Sequence, residues 1–509
     1  MSNQNVLWDS MKNENNVTYT ENGDKAYKST LNPLLDFLFK SGTMREEDAA
    51  KIAASFIAAF KENPVYATRL AFYTRDIRGG QGERRVFRIC MQTLANLNPS
   101  TFEQIISFIP EYGRWDDLIY LLNNINNSKL KDCIKAFIAG QLAKDLENFE
   151  QKKNISLLAK WLPSENASSD TTIKSAKQLR KFFELTPKEY RKMLSSLREY
   201  LNILETKMSS KKWNEINYNI VPSKAMMKYR KAFKRNDDER YTSYINQLAD
   251  PENTSVKVNA STLYPFDIIK QIYGSFYSYR YDNNSSLTKE EKQLFDAQWK
   301  ALPDYFKDKF DNAIVVADVS GSMEGDPMNV SIGLALYIAE RNKGLFNNKF
   351  ITFSGHPNLE EVVGNDIYEK AKNLAQADWG MNTDIDAVFN LIYTAAIKGN
   401  INASDLPSMI YIISDMQFDS CCEESDKTVF EKWQNKFAEA GYQLPTVVFW
   451  NVSAYGNDNV PVTINDSGVL LCSGYSPAII KYIMESDVTN TMALIENIVK
   501  GERYACILA

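Results

Sequence analysis

From about Leu31 to Leu302, apolar residues return at the spacing of one helix face. The segment "EEDAAKIAASFIAAFKENP" carries them at i, i+3, i+4 and i+7, which predicts an amphipathic helix stopped by Pro64. Next, "NPVYATRLAFYTRDIRGGQGERRVFRICMQTLANLNP" reads as two helices around an "RGGQG" turn. "TFEQIISFIPEYGRWDDLIYLLNNI" and "LKDCIKAFIAGQLAKDLENF" continue the pattern. Antiparallel helix pairs joined by short turns predict an all-α helical-repeat, HEAT-like domain over residues 31–305, although the repeats show no regular period. A polar break, "LPSENASSDTT", precedes a helical and basic stretch that begins "SAKQLRKFFELTPKEYRKML". Residues 1–30 form an N-terminal extension without the basic and apolar regions of a secretory signal.

After about Phe310 the pattern changes. Short β-rich runs ("NAIVVAD", "KFITFS", "SMIYIIS", "PTVVFWNV", "GVLLCSG") alternate with amphipathic stretches such as "PMNVSIGLALYIAERN", "TDIDAVFNLIYTAAIKG", "VFEKWQNKFAEAG" and "SPAIIKYIMES". That alternation predicts a doubly wound, mainly parallel sheet over residues 310–509, with helices on both faces. "EEVVG" near residue 360 fits a short antiparallel edge strand. The fold class is therefore α followed by α/β. Ligands in such sheets bind beyond the carboxyl ends of the strands, near a topological switch point.

Composition adds exclusions. The apolar runs fall far short of the roughly 20 residues that cross a bilayer, so no membrane partner is expected. Six cysteines (Cys90, Cys133, Cys421, Cys422, Cys472, Cys506) form no CxxC pair and read as reduced thiols of a cytoplasmic protein. The one histidine, His356 in "FSGHPN", reads as a turn residue, which leaves little for Ser-His catalysis or a multi-histidine metal site. No phosphate-binding GxxxxGK[ST] loop is present. Charge is unevenly spread: residues 1–310 carry 47 Lys+Arg against 38 Asp+Glu, and residues 311–509 carry 12 against 26. The basic excess is concentrated in 151–250, with 21 against 11, and points either to a polyanionic partner or to a solvated helix face.

The candidate chemistry lies in "NAIVVADVSGSM". Asp318, Ser320 and Ser322 follow the first strand, and a spacing of two in a turning segment can aim three oxygens at one point. One carboxylate and two hydroxyls are hard donors, suited to Mg²⁺, or to Mn²⁺ or Ca²⁺, rather than to zinc or copper. Thr383 in "GMNTDIDAVF" starts a helix, and Asp415 in "YIISDMQF" ends another strand, so both can join. The alternative is that the serines only cap the following helix.

This order (DxSxS, a later Thr before a helix, an Asp closing a strand) resembles the von Willebrand factor A domain, over roughly 310–509. The resemblance implies that Asp318, Ser320, Ser322, Thr383 and Asp415 form a metal-ion-dependent adhesion site. It also implies that serine and threonine bind the ion directly while the aspartates act through water, leaving a position open for a partner's Asp or Glu. Asn382 departs from the small glycine common before that threonine. The pieces "RDIRGGQGERRVF", "YGRWDDLIYLL", "LLAKWLPSENASS" and "ISDMQFD" resemble an uncharacterised family joining a helical region to an A domain. More distantly, the layout is similar to TROVE-module proteins typified by the Ro autoantigen, in which a helical ring closed by an A domain binds structured RNAs.

Residues 207–240 mix cations with Trp213, Tyr218, Tyr229 and Phe233, so phosphate pairing and base stacking are both conceivable. The RNA candidates are Arg78, Arg84, Lys211, Lys212, Lys224, Arg230, Lys231, Lys234 and Arg235. The competing reading makes Trp213, Met226 and Phe233 core. "RGGQGERR" either cradles a phosphate or merely reverses the chain. In "YGRWDDL", Trp115 is expected to pack and Arg114 to pair with a carboxylate. The expectation is a non-enzymatic binding protein: Ro-like RNA binding with a Mg²⁺ site for a partner carboxylate, or else a protein-binding scaffold without RNA.

Overall fold

The computed structural model describes the chain except residues 1–10, 12, 13, 282–286, 307–311, 354, 355, 376–382, 420–428, 454–458, 486, 487 and 509. Asn382, Cys421 and Cys422 lie outside the described residues. The chain is mostly helical, with a mainly parallel six-stranded sheet in its C-terminal part.

The helices begin and stop where local chemistry dictates. Asn63 ends the Ala49–Glu62 helix and caps the next, Pro64–Arg75, by accepting from the Tyr66 amide at 3.0 Å. Pro64 stands at the first position of that helix, where its missing N–H costs nothing. The expected pair around the turn is Pro64–Arg75 and Arg84–Leu97. The Pro187–Tyr200 and Lys289–Lys300 helices open with capping boxes, Thr186 with Glu189 and Thr288 with Glu291.

The eight described strands are β1 (Val17–Tyr19), β2 (Lys25–Tyr27), β3 (Ala313–Ala317), β4 (Lys349–Thr352), β5 (Leu359–Glu361), β6 (Met409–Ser414), β7 (Thr446–Asn451) and β8 (Val469–Ser473). β1 and β2 form an antiparallel hairpin in the N-terminal extension, which the sequence patterning did not indicate. The main sheet has the order β5-β4-β3-β6-β7-β8, all parallel except edge strand β5, which runs antiparallel to β4. From β3 the chain builds first to one side and then to the other, so the switch point lies between β3 and β6.

Both faces of the sheet are covered, which is why its strands read as continuous apolar runs. Ala313, Val315, Ala317, Tyr411, Ile413 and Trp450 join a core continuous with the helical part. Their alternates Ile314, Val316, Ile410, Ile412 and Phe449 face a second core with Val388, Phe389 and Trp433 from the Ile385–Gly399 and Val429–Glu439 helices. The Asp326–Arg341 helix is buried almost all round, between the sheet and the Pro265–Tyr281 helix.

The C-terminal part grips both ends of the helical part. At one end Arg69 donates to the carbonyls of Ile507 (2.8 Å), Val499 (3.1 Å) and Ala505 (2.6 Å). Arg503 and Tyr504 meet the buried Asp76 there. At the other end Trp299 donates to Glu340 at 2.7 Å, and Tyr337 hydrogen-bonds Pro303 and Tyr305. The "RGGQG" turn is part of this joint. Gly80, Gln81 and Glu83 spend their amides on the carbonyls of Asp76, Tyr73 and Thr74, while the Gln81 side chain reaches the Ser473 carbonyl at 3.1 Å. Those amides are therefore committed to the chain and offer no phosphate cradle.

"YGRWDDL" locks helices together, with one correction to its expected pairing. Trp115 is buried and stacks on Phe137, but the Arg114 side chain lies over the Trp161 ring. The buried Asp117 takes its cations from Arg75 (2.8 Å) and Arg88 (2.7 Å), and only the backbone amide of Arg114 (3.0 Å). Arg75 ends the Pro64–Arg75 helix and Arg88 stands on the Arg84–Leu97 helix packed against that of Asp117, whereas Arg114 precedes its helix as the cap.

Candidate metal site

Register assembles the site. β3 and β6 pair in parallel, with Ala317 opposite Ile413, so Asp318 emerges beside Ser414 and Asp415 follows one residue on. The Asp318 amide donates to the Ile413 carbonyl at 3.1 Å, and the Ser414 hydroxyl donates to Asp318 Oδ2 at 2.6 Å. The chain then turns back over its own carboxylate, with the Ser320 amide donating to Asp318 Oδ1 at 2.9 Å. That turn sets the Ser320 and Ser322 hydroxyls 3.1 Å apart. Beyond β6, Met416 takes φ 66°, a conformation that costs a non-glycine residue energy and is often found at functional sites. It allows the Gln417 amide to donate back to Asp415 Oδ1 at 3.1 Å.

Asp318, Ser320 and Asp415 are buried, and Ser322 is exposed, so the cluster opens to solvent on the Ser322 side. Asp415 Oδ2 is buried without a hydrogen-bond partner of normal geometry, although the nearby Ser322 hydroxyl favours its charged form. Burial, and then the charge of Asp415, push the Asp318 carboxyl up to about 6. Burial also raises Asp415. Among the described residues neither carboxylate has an ion-pair partner. Two buried, uncompensated carboxylates at adjacent strand ends are costly unless a cation joins them.

Thr383 arrives from the start of the Ile385–Gly399 helix and is buried beside the same strand end. Its hydroxyl lies 2.8 Å from the Gln417 carbonyl and 3.1 Å from Asp419 Oδ1, and it accepts from Asn22 Nδ2 at 3.3 Å. The structure thus brings Asp318, Ser320, Ser322 and Asp415 to one point and ties Thr383 to the chain just past Asp415. Among the described residues no group of three or more His, Cys, Asp or Glu could hold a metal, so a cation here would rest on two carboxylates and three hydroxyls. That donor set fits Mg²⁺ or Mn²⁺. Sequence reasoning missed Ser414, Gln417 and Asp419, which brace the donors, and the Glu21–Asn22 turn that lies against them.

The RNA candidates do not form one free basic face. Arg230 pairs with Glu291 at 2.6 Å, Lys224 with Asp267 at 3.0 Å, and Lys234 with Asp238 and Glu290. Arg84 approaches Asp116 at 3.6 Å, and Lys212 approaches Glu215 at 3.8 Å. Arg78 is exposed, near the Glu111 carbonyl. Lys211, Lys231 and Arg235 are exposed without a carboxylate partner among the described residues. Two of the aromatics turn inward: Tyr218 and Phe233 are buried with Tyr241 and Tyr244, and the half-buried Trp213 and Tyr229 pack edge-on against Phe233. Of the four rings, Tyr218 and Phe233 are unavailable for base stacking, while Trp213 and Tyr229 are half-buried.

Two family models match. Residues 20–133 and 171–310 match Domain of unknown function (DUF2828), and residues 312–503 match Domain of unknown function (DUF7788). "Uncharacterized protein L728" of Acanthamoeba polyphaga mimivirus is 31% identical over 515 residues, covering 95% of this chain and 87% of that protein. Among solved structures, the crystal structure of the Deinococcus radiodurans RO (RSR) protein aligns with 93% of this chain and 100% of its own, at 12% identity and a TM-score of 0.40. The chain belongs to the uncharacterised family in which a DUF2828 region is followed by a DUF7788 region.

Proposed function

We propose that this chain is a non-enzymatic, cation-dependent binding protein whose C-terminal part is a von Willebrand factor A-type domain. The observation that carries the reading is the pair of buried, unpaired carboxylates, Asp318 and Asp415, rimmed by Ser320 and Ser322 at the switch point of the sheet. The order β5-β4-β3-β6-β7-β8 with one antiparallel edge supports the A-type assignment. Asp318, Ser320, Ser322, Asp415 and Thr383 would hold Mg²⁺ or Mn²⁺. When bound, the ion supplies an incompletely neutralised positive charge that attracts a partner's Asp or Glu. The chain's own residues keep that charge accessible. Ser414 and the Ser320 amide hold Asp318 in place, the Gln417 amide holds Asp415, and Ser322 marks the open side.

Calorimetric titration with Mg²⁺ tests this. One site in the wild type, lost in Asp318→Ala with the fold retained, is the expected result. Unchanged uptake in Asp318→Ala would refute the assignment.

RNA binding is a second reading, favoured by the exposed Lys211, Lys231 and Arg235 in the basic stretch. With Tyr218 and Phe233 packed inside, such binding would rest mainly on phosphate contacts and fall steeply with salt, by about one unit of slope per contact. Titration of labelled structured RNA across roughly 50 to 300 mM salt decides it; no binding at the low end removes the reading.

A further inference from the structure

The β1–β2 hairpin lies on the C-terminal part, beside the candidate cation site. Tyr27 and Val460 exchange backbone hydrogen bonds of 2.9 and 2.8 Å, and Asn459 Nδ2 donates to the Tyr19 carbonyl at 2.8 Å. The turn between the strands follows the segment just past Asp415, residue by residue. The Thr20 hydroxyl donates to the Phe418 carbonyl at 2.7 Å, the Glu21 amide to Gln417 Oε1 at 2.9 Å, and Asn22 Nδ2 to the Gln417 carbonyl at 2.9 Å. Gly23 pairs with Asp419 in an isolated antiparallel bridge. Asn22 also reaches the Thr383 hydroxyl, so the turn contacts a member of the donor set directly.

Electrostatically this docking is odd. The turn brings Glu21 and Asp24 to a surface that already holds Asp415, Asp384 and Asp386, of which Asp386 is paired with Lys432 at 2.7 Å, and the Glu21 charge acts on Asp415. Like charges repel at such range, yet the hairpin is bonded down across them through Tyr19, Thr20, Glu21, Asn22, Gly23 and Tyr27. A divalent cation among these groups would reverse the sign of the interaction. The Glu21 carboxylate is exposed rather than packed, while its own amide is pinned to Gln417, so the backbone is fixed and the side chain is left available.

We propose that the hairpin turn is a built-in occupant of the cation site, with Glu21 supplying the carboxylate that a partner's Asp or Glu would otherwise provide. This rests on the metal-site reading above. A partner must then displace Glu21, and its apparent affinity is reduced by the fraction of molecules in which the turn is seated. The N-terminal extension thereby governs access to the site.

The test uses the full-length protein and Mn²⁺ alone as probe, with calorimetry for affinity and water-proton relaxation for the exchangeable water on the bound ion. Glu21→Ala should weaken Mn²⁺ binding about tenfold, because affinity follows the charge and number of ligands. It should also raise the relaxation enhancement, as water takes the vacated position. Asp318→Ala serves as the control for the site itself. If Asp318→Ala abolishes binding while Glu21→Ala matches the wild type in both readouts, the Glu21 proposal is overturned and the site stands. If Asp318→Ala binds Mn²⁺ as the wild type does, both fall.

Discussion

Asp76 is the point at which the C-terminal segment is clasped to the first helices, and its removal gives a sharp prediction. The carboxylate is fully buried and accepts from Arg503 Nη2 at 2.8 Å, the Tyr504 hydroxyl at 2.9 Å and the Arg78 amide at 3.0 Å, with Arg503 Nε as a further donor. In Asp76→Ala the Tyr504 hydroxyl, itself buried, loses this acceptor, at about 1–3 kcal/mol. The Arg503 guanidinium loses its counter-charge, but its side chain is 34% exposed, so water recovers part of that loss. Breaking a fully buried pair costs about 3–5 kcal/mol; solvent access at Arg503 brings the expected total to about 3 kcal/mol. Urea unfolding measures that total, and hydrogen exchange locates it. The amides of 491–507, which carry the carbonyls gripped by Arg69, should lose protection first. A change below about 0.5 kcal/mol, the size typical of neutral surface substitutions, with exchange in 491–507 unaltered, would refute the clasp.

Gly80→Ala should lower the melting temperature and loosen the joint to β8, because a Cβ there would stand 1.9 Å from the Tyr73 carbonyl oxygen; an unchanged melt would contradict that close approach. Asp24 provides a pH test without added metal. Burial, followed by the charges of Asp386 and Asp384, raises its carboxyl from 3.8 to about 7. Between those values the folded chain holds a proton that the unfolded chain has released, so this group's contribution to stability falls as pH rises from about 4 to 7. Asp24→Asn should flatten that part of the pH–stability curve, and a curve identical to the wild type would refute the assignment.

The main sheet was legible because strands buried on both faces are written as short unbroken apolar runs, and "DVSGSM" marks where the first one ends. Even the short edge strand near residue 360 could be read. The hairpin could not: three-residue strands carry too little periodicity, and "VTY" and "KAY" gain their order from Val460 and Phe418, more than 390 residues away. Of the candidate site, spacing and strand-end position pointed to five oxygens, and the pairing of β3 with β6 sets Asp318 beside Asp415, with Ser320 and Ser322 following. Their supports were not legible, since Ser414, Gln417 and Asn22 matter only through a register that pairing sets. The basic stretch was only half legible for a related reason. Composition records Trp213, Tyr218 and Phe233 beside lysines, but only packing against Tyr241 and Tyr244 decides which face each ring takes.

The central claim is that a divalent cation joins the ends of β3 and β6. Anomalous diffraction from crystals soaked in Mn²⁺ tests it most directly. The account predicts one strong peak between Asp318 and Asp415, within direct bonding distance of the Ser320 and Ser322 hydroxyl oxygens, which is roughly 2.0–2.1 Å for a Mg²⁺-type site. No peak there at saturating Mn²⁺, with the four side chains ordered, would contradict it.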